Sequence, residues 1–199
     1  MKKFKLTSEF IVDISGVKLF RIKALIEFGN VKAGDLGGYI EKEENLSHMG
    51  NAWVSGNAQV SGDARVSGNA RVSGDAQVFG DARVSGNAQV SGNARVFGDA
   101  QVSGDARVSG NAQVFGDARV SGDARVSGDK DYAYAHGFGS CNRTTTFFRL
   151  KDGDVGVRCG CFYGTLAQFR DKVCETHGET KKAQEYLMLA DLMEIRFKN

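Results

Sequence analysis

From Gly50 to Ser127 the chain repeats one six-residue frame: Gly, Asn or Asp, Ala, a variable residue, Val, then Ser or Phe, thirteen times without insertion or deletion. Strict self-similarity at a short period marks a solenoid, whose units stack on copies of themselves because none can bury its apolar side alone. In a run such as Ala64-Arg65-Val66-Ser67, period-two alternation predicts a short strand with Ala and Val inward and Arg and Ser outward. Gly68-Asn69 then suits a corner, because Gly accepts positive φ freely and Asn or Asp tolerates it best among other residues. Phe replaces Ser only at Phe79, Phe97 and Phe115, which lie 18 residues apart. Eighteen residues are three hexads, so the pattern predicts a three-sided coil in which Val60, Val78, Val96 and Val114 form one inward column.

The flanks follow other patterns. Phe4 and Leu6, Phe10 to Val12, and Leu19 to Leu25 read as short strands that cover the open end of the solenoid, where strand edges and core would otherwise be exposed. Traced backwards, the hexad frame reaches Gly38, with Ile40 and Leu46 inward. After Ser127 the frame fails at Lys130. Thr144 to Leu150 and Val155 to Cys159, joined by Lys151-Asp152-Gly153-Asp154, predict a hairpin. Thr165 and Gln168 have capping-box spacing before a helix that stops at Gly178, and a second helix is predicted from about Lys181 to Arg196, with Ala183, Tyr186, Leu187, Ala190 and Met193 on one face. The expected organisation is therefore an N-terminal β cap (1–37), a repeat prism (38–129) and a small α/β domain (130–199).

The repeat, with its aliphatic residue, small residue and turn Asn, resembles the hexapeptide repeat of parallel β-helices such as the hexapeptide acyltransferases. That resemblance implies a mainly β, left-handed parallel β-helix with 18 residues per coil, and packing side by side as trimers. The flanks "VKLFRIKALIEFGNVKAGDLGGYIEKEENLS" and "TTTFFRLKDGDVGVRCGCFYGTL" resemble phage- and prophage-encoded hexapeptide proteins, often labelled polymer-forming cytoskeletal proteins or transferases.

Charge narrows the partners. Lys plus Arg number 26 against 24 Asp plus Glu, and the two stay balanced before, within and after the repeats. No segment has the basic excess of a phosphate-backbone binder, so a nucleic-acid polymer is not the expected partner. Lys5, Glu9 and Asp13 interrupt the N-terminal apolar positions, so neither a signal peptide nor a membrane span is expected, and the expected location is the cytoplasm. The four cysteines are then expected as free thiols.

A hexapeptide-type acyl- or nucleotidyl-transferase is expected to present a His beside the coil as general base, yet His48, His136 and His177 all lie outside the thirteen hexads. No catalytic residue is therefore assigned. Cys159, Cys161, Cys174 and His177 have a zinc-like spelling, but a helix between the two pairs would hold them about 15–20 Å apart at roughly 1.5 Å per residue, so no metal and no cofactor is expected.

Two surface patterns stand out instead. Steps of 18 place Asp63, Asp81, Asp99 and Asp117 in one corner column, where stacked carboxylates repel and Arg65, Arg83 and Arg119 are the expected offsets; a column of divalent cations is the alternative. One face carries Gln59, Gln77, Arg95 and Gln113 beside Ser61, Phe79, Phe97 and Phe115, while the other faces carry mostly Arg and Ser. Charge thins where aromatics appear, as in a contact surface; a ladder that merely steadies the sheet is the alternative. The expected role is a non-enzymatic scaffold or binding protein acting through this face as a homo-oligomer, with sequestration of a host protein or small nucleotide as the alternative.

Overall fold

The computed structural model describes residues 2–140 and 143–198. Each hexad forms a two-residue strand, from Trp53–Val54 to Arg125–Val126, and the strands stack into three parallel sheets, one of which has five strands. The fold is thus mainly β, a solenoid of about five turns. Val60 pairs with Val78, Val78 with Val96, and Val96 with Val114, as expected from the spacing of the Phe residues. Every inward Ala and Val of the hexads is buried. Backbone N–H groups donate from coil to coil, as in Gln59 N to Ala76 O at 2.9 Å and Ser61 N to Val78 O at 3.0 Å.

The corners show why the frame needs glycine. At Gly104 φ is +70° and an added Cβ would lie 2.8 Å from the Gly122 nitrogen of the next coil. The glycine position is as constrained by spacing as by dihedral, since coils of the sheet sit about 4.8 Å apart.

The N-terminal strands join the solenoid without a break. β1 (Phe4–Val12) and β2 (Lys18–Ala24) are antiparallel, β2 pairs antiparallel with β3 (Leu36–Ile40), and β3 pairs in parallel with Gln59–Val60. One seven-stranded sheet therefore runs from β1 to the strand Gln113–Val114. Phe4, Ile22, Ile40 and Leu46 close the end of the Ala and Val core. Lys3 is buried beside them, and its Nζ donates to Ala52 O at 2.8 Å and Gly50 O at 3.3 Å while lying 4.7 Å over the Phe28 ring.

The C-terminal region holds more strand than the sequence pattern suggested. The expected hairpin is the middle pair, Arg143–Arg149 with Val155–Cys159, of a four-stranded antiparallel sheet completed by Tyr132–Phe138 and Phe162–Thr165. Helix α1 (Leu166–His177) and helix α2 (Lys181–Phe197) pack on it. Thr165 and Gln168 make the capping box, and Gly178 is the C-cap. Phe147, Phe169, Tyr186 and Phe197 form a core separate from that of the coils, whereas Tyr132 and Phe148 belong to the solenoid core and cover its last turn.

Candidate functional site: a walled aromatic trough

Phe79, Phe97 and Phe115 project from one face as a continuous stack, with ring centroids 5.0 and 5.3 Å apart and planes inclined by 2° and 11°. Each ring shields its neighbour, so all three are half-buried. The stacking is that of a ladder which steadies the sheet, and part of each ring stays open to solvent. Gln77, Arg95 and Gln113 run alongside, also half-buried, in contrast to the exposed Arg65, Arg71, Arg83, Arg107 and Arg119 of the other faces. Arg95 lays its guanidinium 5.4 Å from the Phe79 ring centre, and its Nε is buried without a hydrogen-bond partner among the described residues.

Both ends of the ladder are walled by the flanking elements. At the N-terminal end, the turn between β1 and β2 overhangs the face, and a cleft of about 490 Å³ opens between Val12, Ile14 and Val17 on one side and Gln77, Phe79 and Arg95 on the other. Ile14 is 99% exposed. At the C-terminal end, Tyr134 meets Phe115 edge-on at 5.5 Å, and a second cleft of about 510 Å³ lies between Phe115, Tyr132, Tyr134 and Leu192 of α2. Burial pushes the Tyr132 phenol up in pKa, and its hydroxyl donates to Phe115 O at 3.4 Å. Ile14 and Tyr134 were not among the residues singled out by pattern; an isoleucine in the turn Asp13-Ile14-Ser15-Gly16 is an apolar side chain where turn chemistry asks for none, and that anomaly was the available signal.

The acidic column borders the trough, since Asp81, Asp99 and Asp117 each follow a Phe by two residues. Its offsets match the expected ones only in part. Among the described residues no ion pair within 4.0 Å joins Arg65, Arg83 or Arg119 to the column. The column is instead engaged at its ends: Lys42 Nζ lies 2.7 Å from Asp63, and His136 Nδ1 lies 3.9 Å from Asp117. The Lys42 hydrogen bond holds the Asp63 carboxyl below the usual carboxylate range. The charge of Arg65 lowers the same carboxyl further without a direct ion pair. The other corners relieve their stacking by amide donation, Asn69 to Asn87 at 3.1 Å and Asn87 to Asp105 at 2.9 Å. No group of three or more His, Cys, Asp or Glu side chains able to hold a metal occurs among the described residues.

The histidines are dispersed. His48 stacks on Phe4 at 4.3 Å and accepts from Lys3 N at 3.2 Å in the N-terminal cap. His136 lies 2.9 Å from Thr144 Oγ1, and His177 lies against Tyr186 at the end of α1. For the cysteines the expected separation is only half right. Cys159, Cys161 and His177 line one pocket, because the strand Phe162–Thr165 carries the chain away and α1 brings it back along a similar length, whereas Cys174 lies outside that lining. Cys141 lies outside the described residues. No described helix is long and apolar enough to cross a membrane.

Comparison with known proteins places the repeats. No curated protein matches the chain. A family model described as the YdcK beta solenoid repeat matches residues 58–78, 76–90, 88–102, 100–116 and 112–128, less than half of the chain but most of its coils. Over those coils, the protein is similar to the YdcK beta solenoid repeat.

Proposed function

We propose that this protein is a non-enzymatic scaffold of the phage or prophage type, a left-handed parallel β-helix of 18-residue coils that assembles side by side with copies of itself in the cytoplasm through the aromatic trough. The observation that carries the proposal is the Phe79, Phe97 and Phe115 ladder, walled by Ile14 at one end and by Tyr134 and Leu192 at the other.

Energetics decides how much of the trough must take part. Covering a fully exposed Phe contributes roughly 1.5–3 kcal/mol, and these half-buried rings have already gained part of that from one another. Association costs about 4–15 kcal/mol in lost freedom. The ladder alone does not offset this, so the exposed Val12, Ile14, Tyr134 and Leu192 must be covered with it. Parallel packing would also bring the Asp81 and Asp99 carboxylates, without ion pairs in their own chain among the described residues, alongside the Arg71, Gln89 and Arg107 column of a neighbouring copy, which offers a guanidinium at every second coil. A nucleotide in the trough is disfavoured by the same acidic border, which would repel its phosphates.

Phe79→Ser, Phe97→Ser and Phe115→Ser together restore the repeat consensus and should keep the fold by circular dichroism. Light scattering should show the parent as an oligomer and the triple variant at lower mass, with association of the parent weakening as salt rises. An unchanged mass in the variant would remove this face as the self-association surface. A monomeric parent would remove self-assembly and leave a foreign protein as the occupant of the trough.

A further inference from the structure

The C-terminal domain contains a pocket that the scaffold role does not use. It measures about 240 Å³ and lies between the turn Cys159-Gly160-Cys161 and the last turn of α1. Its apolar floor is formed by Phe162, Phe169, Val173 and Tyr186. Tyr186 is held in place: its hydroxyl accepts from Ser140 N at 3.0 Å and donates to Ser140 O at 3.3 Å. Gly139 fits this arrangement because a Cβ there would lie 2.0 Å from the Tyr186 ring. The floor is therefore a preformed surface rather than a gap between loosely packed side chains.

The charged groups around the floor are of one sign. Arg143 and Lys172 line the pocket, and no Asp or Glu lines it among the described residues. Lys172 pairs with Glu175 at 2.9 Å, but both groups are more than half exposed, and such surface pairs exchange readily with water or another anion. The carbonyl end of α1 opposes an anion weakly and only within its last turn. Arg143, across the pocket on the strand Arg143–Arg149, stands clear of that end, with its guanidinium near Gly160, where an added Cβ would meet it at 2.7 Å. Guanidinium groups take carboxylate or phosphate oxygens in pairs.

From this combination we infer that the pocket binds a small organic anion, a carboxylate or phosphate monoester carrying one aromatic or branched apolar group, with the apolar group on Phe169, Val173 and Tyr186 and the anion at Arg143 and Lys172. The volume admits a single ring and excludes a dinucleotide-sized ligand.

The cysteines supply the readout. Cys159 and Cys161 line the pocket, and the exposed Cys174 does not, so the rate of alkylation by iodoacetamide at each site, followed by peptide mass spectrometry on the full chain, reports occupancy with an internal control. Benzoate and phenyl phosphate should each slow alkylation of Cys159 and Cys161 several-fold and leave Cys174 unchanged, whereas benzylamine should not. Whichever of the two anions protects at lower concentration identifies the oxygen group preferred. Arg143→Gln with Lys172→Gln, both exposed positions, should raise the benzoate concentration needed for half-protection about tenfold with the melting temperature retained. Equal protection by benzoate and benzylamine would overturn the anion assignment, as would an unchanged concentration in the double variant. Absence of protection by every probe, or equal protection of Cys174, would overturn the site.

Discussion

Between Val54 and Val126 every buried side chain is Ala or Val, whereas the core of the C-terminal domain is built from Phe147, Phe169, Tyr186, Met193 and Phe197. The coils distribute their stabilisation: each inward side chain is small, and each is replicated above and below by a residue paired through the backbone. The domain concentrates it, with Phe169 touching Phe147, Phe162 and Tyr186 edge-on or tilted at 5.6 to 6.2 Å. A repeated core therefore has no keystone, yet it admits no charge within its columns, while an aromatic core tolerates variation at its rim and fails at its centre.

Two substitutions break this contrast most strongly. Val78→Asp buries an unpaired carboxylate against Val60 and Val96, costs several kcal/mol, and should melt the middle coils in hydrogen exchange; an unchanged melting temperature would refute the stacking described above. Phe169→Ala should cost about 3–5 kcal/mol and act on the other region. Calorimetry should then show the C-terminal domain unfolding at lower temperature while the coils keep theirs, and a uniform shift of one transition would mean that the two cores unfold together.

A finer test concerns the N-terminal end, where a single cation meets the apolar column. Burial pushes the Lys3 amine down to about 8 from 10.5. Below pH 8 both folded and unfolded chains hold the proton and the full cost of burying the charge is present; between about 8 and 10.5 only the unfolded chain holds it, so stability rises with pH through that window. Denaturant unfolding of the parent relative to Lys3→Met should therefore improve between pH 8 and 10, by up to about 1.4 kcal/mol per pH unit. A flat difference would mean that the carbonyls of Gly50 and Ala52 keep the amine charged.

What could be read from residues alone divides along the same line. The inward columns, the aligned Phe rings and the turn glycines were legible because the period repeats one local rule, and the partner of each residue lies at a constant offset. The capping box at Thr165 and the buried faces of both helices were legible for a similar reason, since their signals lie within a few turns. Overhang of the Ile14 turn above Phe79, and the return of His177 to Cys159 and Cys161, were not: each depends on where a hairpin or a strand–helix pair sends the chain, a sum of several lengths and angles that no local pattern encodes. The expected offset of the acidic column by arginine is met through space rather than by contact at Asp63, where the charge of Arg65 helps to lower the carboxyl while no direct ion pair joins them among the described residues.

The pairing of Gln77 with Arg95, and of Arg95 with Gln113, bears on how the chain reaches this state as well as on what holds it there. Each coil closes a loop of the same modest length onto a template already formed, so the entropy lost per coil is constant and does not grow with the number of coils, unlike a sandwich whose first and last strands must meet. Growth from the β1 to β3 sheet would then proceed like the lengthening of a filament from a seed, and a gene could gain or lose coils in steps without reopening the problem of folding.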